Sequence, residues 1–292
     1  MSSQSSLPQK LKGKTAIITA GNRGGGASLA LRFASAGANV AIIAPKETTT
    51  NLRLNEISDQ IKASGGKAKT WEVDLTSFYE IESAATEIFS FFGSIDIVVN
   101  NFSTFNFKPA LETSSEEFNK VIGNVFTTFF LSQVCIPYLK DSPNPHVINI
   151  APPLDMVSAQ AACEHHLLFS ISKYGMSFCT MGLAKECKNL GIAFNSLWQE
   201  RPVSTATLSD NFSNDVVRGS NRPEIYAEAA YLISLKPAKE FSGNYCIDEA
   251  LLIESGIDVS KYAVDPAARP VKDIFLPGAD YSILKTILRP KS

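Results

Sequence analysis

A three-layer α/β fold around a doubly wound parallel sheet of about seven strands is what this 292-residue sequence predicts. Three observations carry the prediction. Short β-branched runs alternate with longer segments of helical period, the pattern of repeated βαβ units. Several of the short runs are apolar at successive positions, as strands are when helices cover both faces of a sheet. A glycine cluster, Gly21, Gly24, Gly25 and Gly26, follows the first run and opens an amphipathic segment.

The strands read, in order, as residues 15–19, 39–44, 68–72, 96–99, 146–150, 193–197 and 244–247. Between them the helical period marks segments 26–36, 51–64, 77–92, 115–139, 169–189 and 222–234. Right-handed crossovers place a ligand at the carboxyl ends of the first strands, where strand order reverses. The segment after Ile257, with Pro, Ala, Tyr262, Phe275 and Tyr281, is expected to pack over the domain. A single domain over 1–292 follows, with its core at about 10–250 and an extension at about 256–292.

Composition narrows the function. A chain that is 45% hydrophobic and 19% charged has enough apolar surface for one large core. A net charge of -2 with interspersed signs offers no basic face for nucleic acid and no polybasic membrane anchor. The five cysteines, Cys135, Cys163, Cys179, Cys187 and Cys246, are odd in number and lack metal-ligand spacing. They read as small apolar residues in a reducing compartment, with no metal site. The first residues are polar, no apolar run reaches about 18 residues, and the final Arg-Pro-Lys-Ser is not a Ser-Lys-Leu address. The expectation is a soluble cytoplasmic protein, with peroxisomal or mitochondrial placement left open.

The glycines carry the first chemical reading. Strand, glycine turn and helix N-terminus together make a pyrophosphate cradle, because glycine lets backbone N–H groups approach phosphates and the helix end supplies partial positive charge. The second strand ends Ile43-Ala44-Pro45-Lys46, without the Asp or Glu that holds a ribose 2′-hydroxyl. Arg23 and Lys46 are placed to meet a 2′-phosphate instead, which favours NADP(H) over NAD(H).

These residues resemble the short-chain dehydrogenase/reductase family, whose Rossmann-type pattern Thr-Gly-x-x-x-Gly-x-Gly is matched by Thr19, Gly24 and Gly26. Ala20 replaces the first glycine, so Gly21 is expected to absorb the turn. The resemblance implies further cofactor residues. Asp74 matches the family's adenine-contacting Asp, Asn100-Asn101 the start of its Asn-Asn-Ala-Gly motif, and Val203 with Thr205 its carboxamide-holding element. Gln199-Glu200 stand where the family has Pro-Gly.

At the reaction end the family uses Ser, Tyr, Lys and Asn. Lys173 and Asn124 match the last two, but Phe169 stands in the Tyr position and Pro152 in the Ser position. Phenylalanine cannot protonate a carbonyl, and a lost general acid is worth about 10² to 10⁴ in rate. Tyr174 follows Lys173 but points about 100° away on a helix and reads as a packing residue. His165 and His166 are the other nearby acids, more often structural than catalytic. Segments such as 150–154 and 173–177 resemble the hydroxysteroid dehydrogenase-like type-two subgroup and imply a bulky apolar ligand, lined by Phe102, Phe105, Phe107 and Trp198.

Two functions follow as expectations. One is an NADP(H)-binding oxidoreductase acting on a hydrophobic carbonyl, alcohol or activated alkene by a non-standard mechanism. The other is a cofactor-binding protein without turnover, serving as scaffold or regulatory partner. The family also dimerises through the two long helices, so a homodimer or homotetramer is expected from Phe126, Phe129, Phe130, Leu131, Phe178, Met181 and Leu183.

Overall fold

In the computed structural model, which describes residues 9–46 and 54–282, seven strands form one parallel sheet. They are β1 (Thr15–Thr19), β2 (Asn39–Pro45), β3 (Lys67–Val73), β4 (Ile97–Asn100), β5 (His146–Ile150), β6 (Ala193–Trp198) and β7 (Tyr245–Ile247). Their order is β3-β2-β1-β4-β5-β6-β7. Ile17 of β1 sits opposite Ala41 on one side and Val98 on the other. The chain runs outward from β1 through β2 and β3, then returns to the other side of β1 with β4. Strand order reverses there, which opens a crevice at the carboxyl ends of β1 and β4.

The helices are α1 (Gly24–Ser35), α2 (Glu56–Ala63), α3 (Phe78–Phe92), α4 (Ser115–Leu139), α5 (Met156–Glu186), α6 (Ala206–Asn211), α7 (Asn214–Arg218), α8 (Glu224–Leu235) and α9 (Asp248–Glu254). α1 packs on α8 on one face of the sheet, and α3, α4 and α5 pack in series on the other. Adjacent residues of β1 therefore serve two cores. Ile18 packs with Leu29, Phe33 and Ala229 on one face, and Ile17 packs with Ile81, Leu131 and Leu183 on the other. This is the physical reason the strands read as continuous apolar runs.

Most boundaries differ from the sequence reading by one or two residues, and a few differ for a physical reason. The helix expected at 169–189 begins at Met156, where the Asp155 carboxylate accepts the Ser158 N–H at 2.7 Å and caps it. His166 leaves helical geometry at φ -143°, ψ 57°, and this kink interrupts the period that would have extended the prediction. Asp96, expected inside β4, immediately precedes it, with its N–H donating to Thr15 O and its carboxylate held by Thr15 N, Ser94, Ser142 and Lys14. α6, α7 and α9, of five to seven residues, are too short to display a helical period. Of the helix expected at 51–64, residues 51–53 lie outside the described residues.

Among the described residues α4 alone is long and apolar enough to cross a membrane by length and composition. It packs between α3 and α5 and carries buried Asn124, Thr127, Thr128 and Ser132, the constitution of a core helix. The segment after Ile257 returns across the carboxyl end of the sheet. Val264 N donates to Ser220 O, Val271 N to Gly219 O and Asp273 N to Glu200 O, at 3.0–3.1 Å. Phe275 is then buried beside the strand ends.

Candidate active site

The turn after β1 is closed by contacts that leave no room for a side chain at Gly25 or Gly26. Ala20, not Gly21, takes the left-handed conformation, at φ 53°, and its N–H donates to Ile43 O at 2.7 Å. The expectation that Gly21 absorbs the turn is corrected: a Cβ on Gly21 would lie 3.1 Å from Ile18 O, so this residue packs down on the sheet. A Cβ on Gly26 would stand 2.0 Å from Ala20 O and 2.8 Å from Asn101 Nδ2. Only glycine lets α1 start this close to the strand ends. Arg23 precedes α1 in an extended conformation, with no side-chain cap and no acidic residue in the first turn. The helix N-terminus thus keeps its partial positive charge for an anion.

Thr19 and Asn101 clamp the crevice itself. Thr19 Oγ1 donates to Val99 O at 3.3 Å and accepts from the N–H groups of Asn101 and Phe102, both at 2.8 Å. Asn101 Nδ2 donates to Thr19 O at 3.0 Å, and its Oδ1 accepts the Tyr226 hydroxyl at 2.9 Å. Asn100 points elsewhere. It is buried, donating to Ser132 Oγ at 3.1 Å and Asn149 Oδ1 at 2.8 Å, so Asn101 is the member of the pair on the cavity.

At the far end of β2 the charges are already matched. Lys46 Nζ lies 2.8 Å from Glu80 Oε1, while Glu80 Oε2 accepts Asp74 N at 2.8 Å. Asp74 Oδ1 accepts from Thr76 N and Oγ1 at 2.9 and 2.7 Å, bonds that hold this carboxyl below its usual range. The Lys46 charge expected to meet a 2′-phosphate is therefore neutralised by Glu80, a residue that carried no sequence signal. Arg23 lines the cavity.

The reaction end is a cavity of about 480 Å³ that runs from Ala20, Arg23 and Gly24–Gly26 to an aromatic wall. Phe102, Phe105, Phe107, Phe169, Trp198, Phe212 and Phe275 line it. Val203 and Thr205 enter from the loop after β6, and a Cβ on Gly24 would meet Thr205 Cγ2 at 3.6 Å. Thr205 Oγ1 also caps α6 by accepting Leu208 N. Lys173 lies at the bottom, 2% exposed, with Nζ donating to Ile150 O at 3.0 Å. Its ammonium is 5.2 Å from the Trp198 ring and 5.9 Å from the Phe169 ring. Burial pushes it down to about 7, with Asp273 opposing the shift.

Asn124 does not line the cavity. It is buried, with Oδ1 accepting Thr104 N at 2.7 Å and Nδ2 donating to Thr104 O and Ser172 Oγ, so it positions the 102–105 loop. Pro152 also lies off the lining, its carbonyl accepting Ser177 Oγ at 2.6 Å. Phe169 is brought into the cavity beside Lys173. Tyr174 packs edge-on against Phe275 at 5.5 Å. His165 stacks on Tyr281 at 4.5 Å and His166 packs on Phe107 at 4.9 Å, neither reaching the lining.

Asp273 is what sequence reasoning missed. It lies in the C-terminal segment, 4% exposed, and lines the same cavity as Lys173. Its Oδ1 accepts Trp198 Nε1 at 2.7 Å and Phe275 N at 3.0 Å, and its Oδ2 accepts Gln199 Nε2 at 3.0 Å. No local motif marks it, but Gln199-Glu200, the residues that depart from the Pro-Gly pattern, are the pair that holds this segment.

The comparisons agree with this fold. The chain is 37% identical over 273 residues to hydroxysteroid dehydrogenase-like protein 2 of Xenopus laevis, which covers 91% of this chain and 64% of the relative. The chain thus spans just under two thirds of that relative's length. A short chain dehydrogenase from Mycobacterium thermoresistibile is 32% identical, with a TM-score of 0.83 over 92% of this chain and 99% of its own. A short chain dehydrogenase from Burkholderia cenocepacia, solved in complex with NADP, shares the fold at 21% identity and a TM-score of 0.72, over 82% of this chain and 97% of its own. The short chain dehydrogenase family pattern matches residues 14–213. With its seven-stranded parallel sheet, glycine turn and buried Lys173, this chain belongs to the short-chain dehydrogenase family.

Proposed function

We propose that this protein is an NADP(H)-dependent oxidoreductase acting on a hydrophobic carbonyl, alcohol or activated alkene. The observation that carries the reading is the continuity of one cavity from the uncapped N-terminus of α1 to Lys173 and the aromatic wall. At about 480 Å³ it has the size of a small-molecule site. The residues present fit a dinucleotide. Gly24, Gly25 and Gly26 offer backbone N–H groups to a pyrophosphate, Arg23 offers positive charge, and Thr205 stands across the turn.

A bound nicotinamide dinucleotide supplies or accepts hydride. The chain's own residues do the rest. Phe102, Phe105, Phe107 and Phe212 exclude water and orient an apolar substrate, which favours neutral ligands with one polar end. Lys173 holds a proton at Nζ and is fixed by Ile150 O, so it can donate a hydrogen bond into the cavity.

A second reading is favoured by Phe169 and Pro152: a dinucleotide-binding protein without turnover, acting as scaffold or regulatory partner. Titration of NADPH and NADH into the purified protein, followed by a screen of apolar aldehydes, ketones and alcohols, separates the readings. NADPH binding with turnover supports the enzyme. Binding without turnover supports the scaffold, and no binding of either nucleotide at millimolar concentration overturns both.

A further inference from the structure

The loss of the phenol at position 169 leaves the aromatic end of the cavity with two titratable side chains among the described lining residues, Lys173 and Asp273. Arg23 and Tyr226 line it at the glycine end. We infer that Asp273 is a catalytic residue: its carboxylate and the Lys173 ammonium together hold the proton that a carbonyl substrate takes up, or an alcohol gives up, in place of the missing phenol. This rests on the oxidoreductase reading above.

The geometry of Asp273 is that of a group held in place. Oδ1 has two donors, Trp198 Nε1 and Phe275 N, but among the described residues Oδ2 has Gln199 Nε2 alone and keeps acceptor capacity. The segment that carries it is tied down independently of the carboxylate. Asp273 N donates to Glu200 O at 3.0 Å, Lys272 Nζ pairs with Glu200 at 3.3 Å, and the Tyr281 hydroxyl donates to Ile274 O. The Phe275 ring is wedged 5.3 Å from Trp198, 5.5 Å from Tyr174 and 5.7 Å from Phe169.

Lys173 and Asp273 line one buried cavity without a direct hydrogen bond between them, so a substrate oxygen or a water bridges the pair when a proton passes. Burial favours the neutral form of each, lowering Lys173 and raising Asp273, while each charge favours the other's ionised form. Among the described residues the other titratable groups facing Asp273 are Tyr174 from α5 and Tyr281 from its own segment, and burial pushes both phenols up, so they stay protonated. In reduction, hydride passes from a reduced nicotinamide dinucleotide to the carbonyl carbon. The C=O π pair moves to oxygen, which takes the proton from the Lys173–Asp273 pair. Solvent returns one proton to the pair, and alcohol oxidation runs the same steps backwards.

The test begins without nucleotide. Trp198 donates its indole N–H to Asp273, so in a Trp71→Phe background its emission reports the charge on that carboxylate. A titration step above the ordinary carboxylate range is expected, absent in Asp273→Asn and displaced in Lys173→Met. No step in the parent, or the same step in Asp273→Asn, overturns the inference whether or not the protein turns over. In turnover, Asp273→Asn is expected to keep NADPH affinity within about threefold and to lose about 100-fold or more in rate, together with one limb of the pH profile. Lys272→Met, which removes only an anchor, is expected to keep the parental rate and profile. If Asp273→Asn retains the rate while NADPH binds, Asp273 is an anchor alone, and the oxidoreductase reading stands without it. If Asp273→Asn does not fold, the Lys173→Met emission titration decides: an unmoved step means the two groups do not share a proton.

Discussion

The hydroxyl of Tyr226 occupies the space that a side chain at Gly25 would need, since a Cβ built there would lie 2.1 Å from that oxygen. Tyr226 comes from α8 and Gly25 from the first turn of α1, so the contact locks the two helices at the mouth of the cradle. Gly25→Ala is expected to cost about 1–3 kcal/mol and to weaken NADPH binding, because a buried phenol must move. Tyr226→Ala should relieve most of that penalty in the double variant, giving a strongly non-additive cycle. Additive effects in chemical denaturation and nucleotide titration would show that the two residues do not share this space.

The Lys46–Glu80 pair makes a prediction about cofactor choice. Glu80→Gln removes the carboxylate that neutralises Lys46 and leaves the ammonium available to a 2′-phosphate. NADPH affinity is expected to rise several-fold over the parent, with little change for NADH, and the gain should shrink at high salt. An equal change for both nucleotides would place the adenosine away from Lys46.

Acid stability should report His146. Its ring is buried at the start of β5, with Nε2 2.9 Å from Lys236 O, and burial pushes its pKa down to about 4. His166 is likewise pushed down to about 4 by burial and the neighbouring His165. Unfolded histidines titrate near 6.5, so between about pH 6.5 and 4 the unfolded chain binds protons that the folded one refuses. Stability is therefore full above that window and falls as pH drops through it. The His146 contribution amounts to about 3 kcal/mol at most. Urea midpoints measured at pH 7 and pH 5 should differ less in a His146→Gln variant that still folds, and an unchanged slope would assign the loss to other groups.

The sheet was legible because most of its strands are buried on both faces, and the β1 pair Ile17 and Ile18 displays both cores in two adjacent letters. The glycine turn was legible in outline but not in detail. Which residue takes positive φ depends on how closely α1 approaches Ala20 O, a three-dimensional fact. The early part of α5 was hidden by the kink at His166, which breaks the helical period a third of the way along. Asn100 and Asn101 are adjacent and alike, yet alternation along the strand end sends one into the core and one to the cavity. Asp273 was illegible for a different reason. Its meaning comes from a chain reversal that brings a distant segment over the strand ends, and no local spacing encodes that.

The exposed faces of α4 and α5 lead to an assembly prediction. Phe129 of α4 and Phe178 and Met181 of α5 stand on helices that pack against each other, with Phe178 56% and Met181 52% exposed. We propose that a second copy of the chain covers this apolar surface. Sedimentation at micromolar concentration should give a dimer or tetramer, and Phe178→Lys with Met181→Lys should give the 31.6 kDa monomer. A monomeric parent would overturn the assignment.

The last prediction concerns Phe169 itself, whose ring lies 5.9 Å from the Lys173 ammonium and 5.7 Å from the Phe275 ring. Phe169→Tyr adds one oxygen to a cavity that already holds a cation. A nearby ammonium lowers a phenol's pKa toward the working pH, and proton transfer from it then becomes effective. If the Lys173–Asp273 pair handles the proton in the parent, the new phenol duplicates an existing function and changes the parental rate little. In the Asp273→Asn background it replaces a lost one. There Phe169→Tyr is expected to restore NADPH-dependent reduction of an apolar aldehyde by about 10-fold or more, since a general acid contributes about 10² to 10⁴ when well placed. A gain in the parent as large as in the Asp273→Asn background would mean that the two groups act independently and that Asp273 takes no part in proton transfer. No gain in either background, with NADPH still bound, would mean that the substrate carbonyl does not lie against position 169.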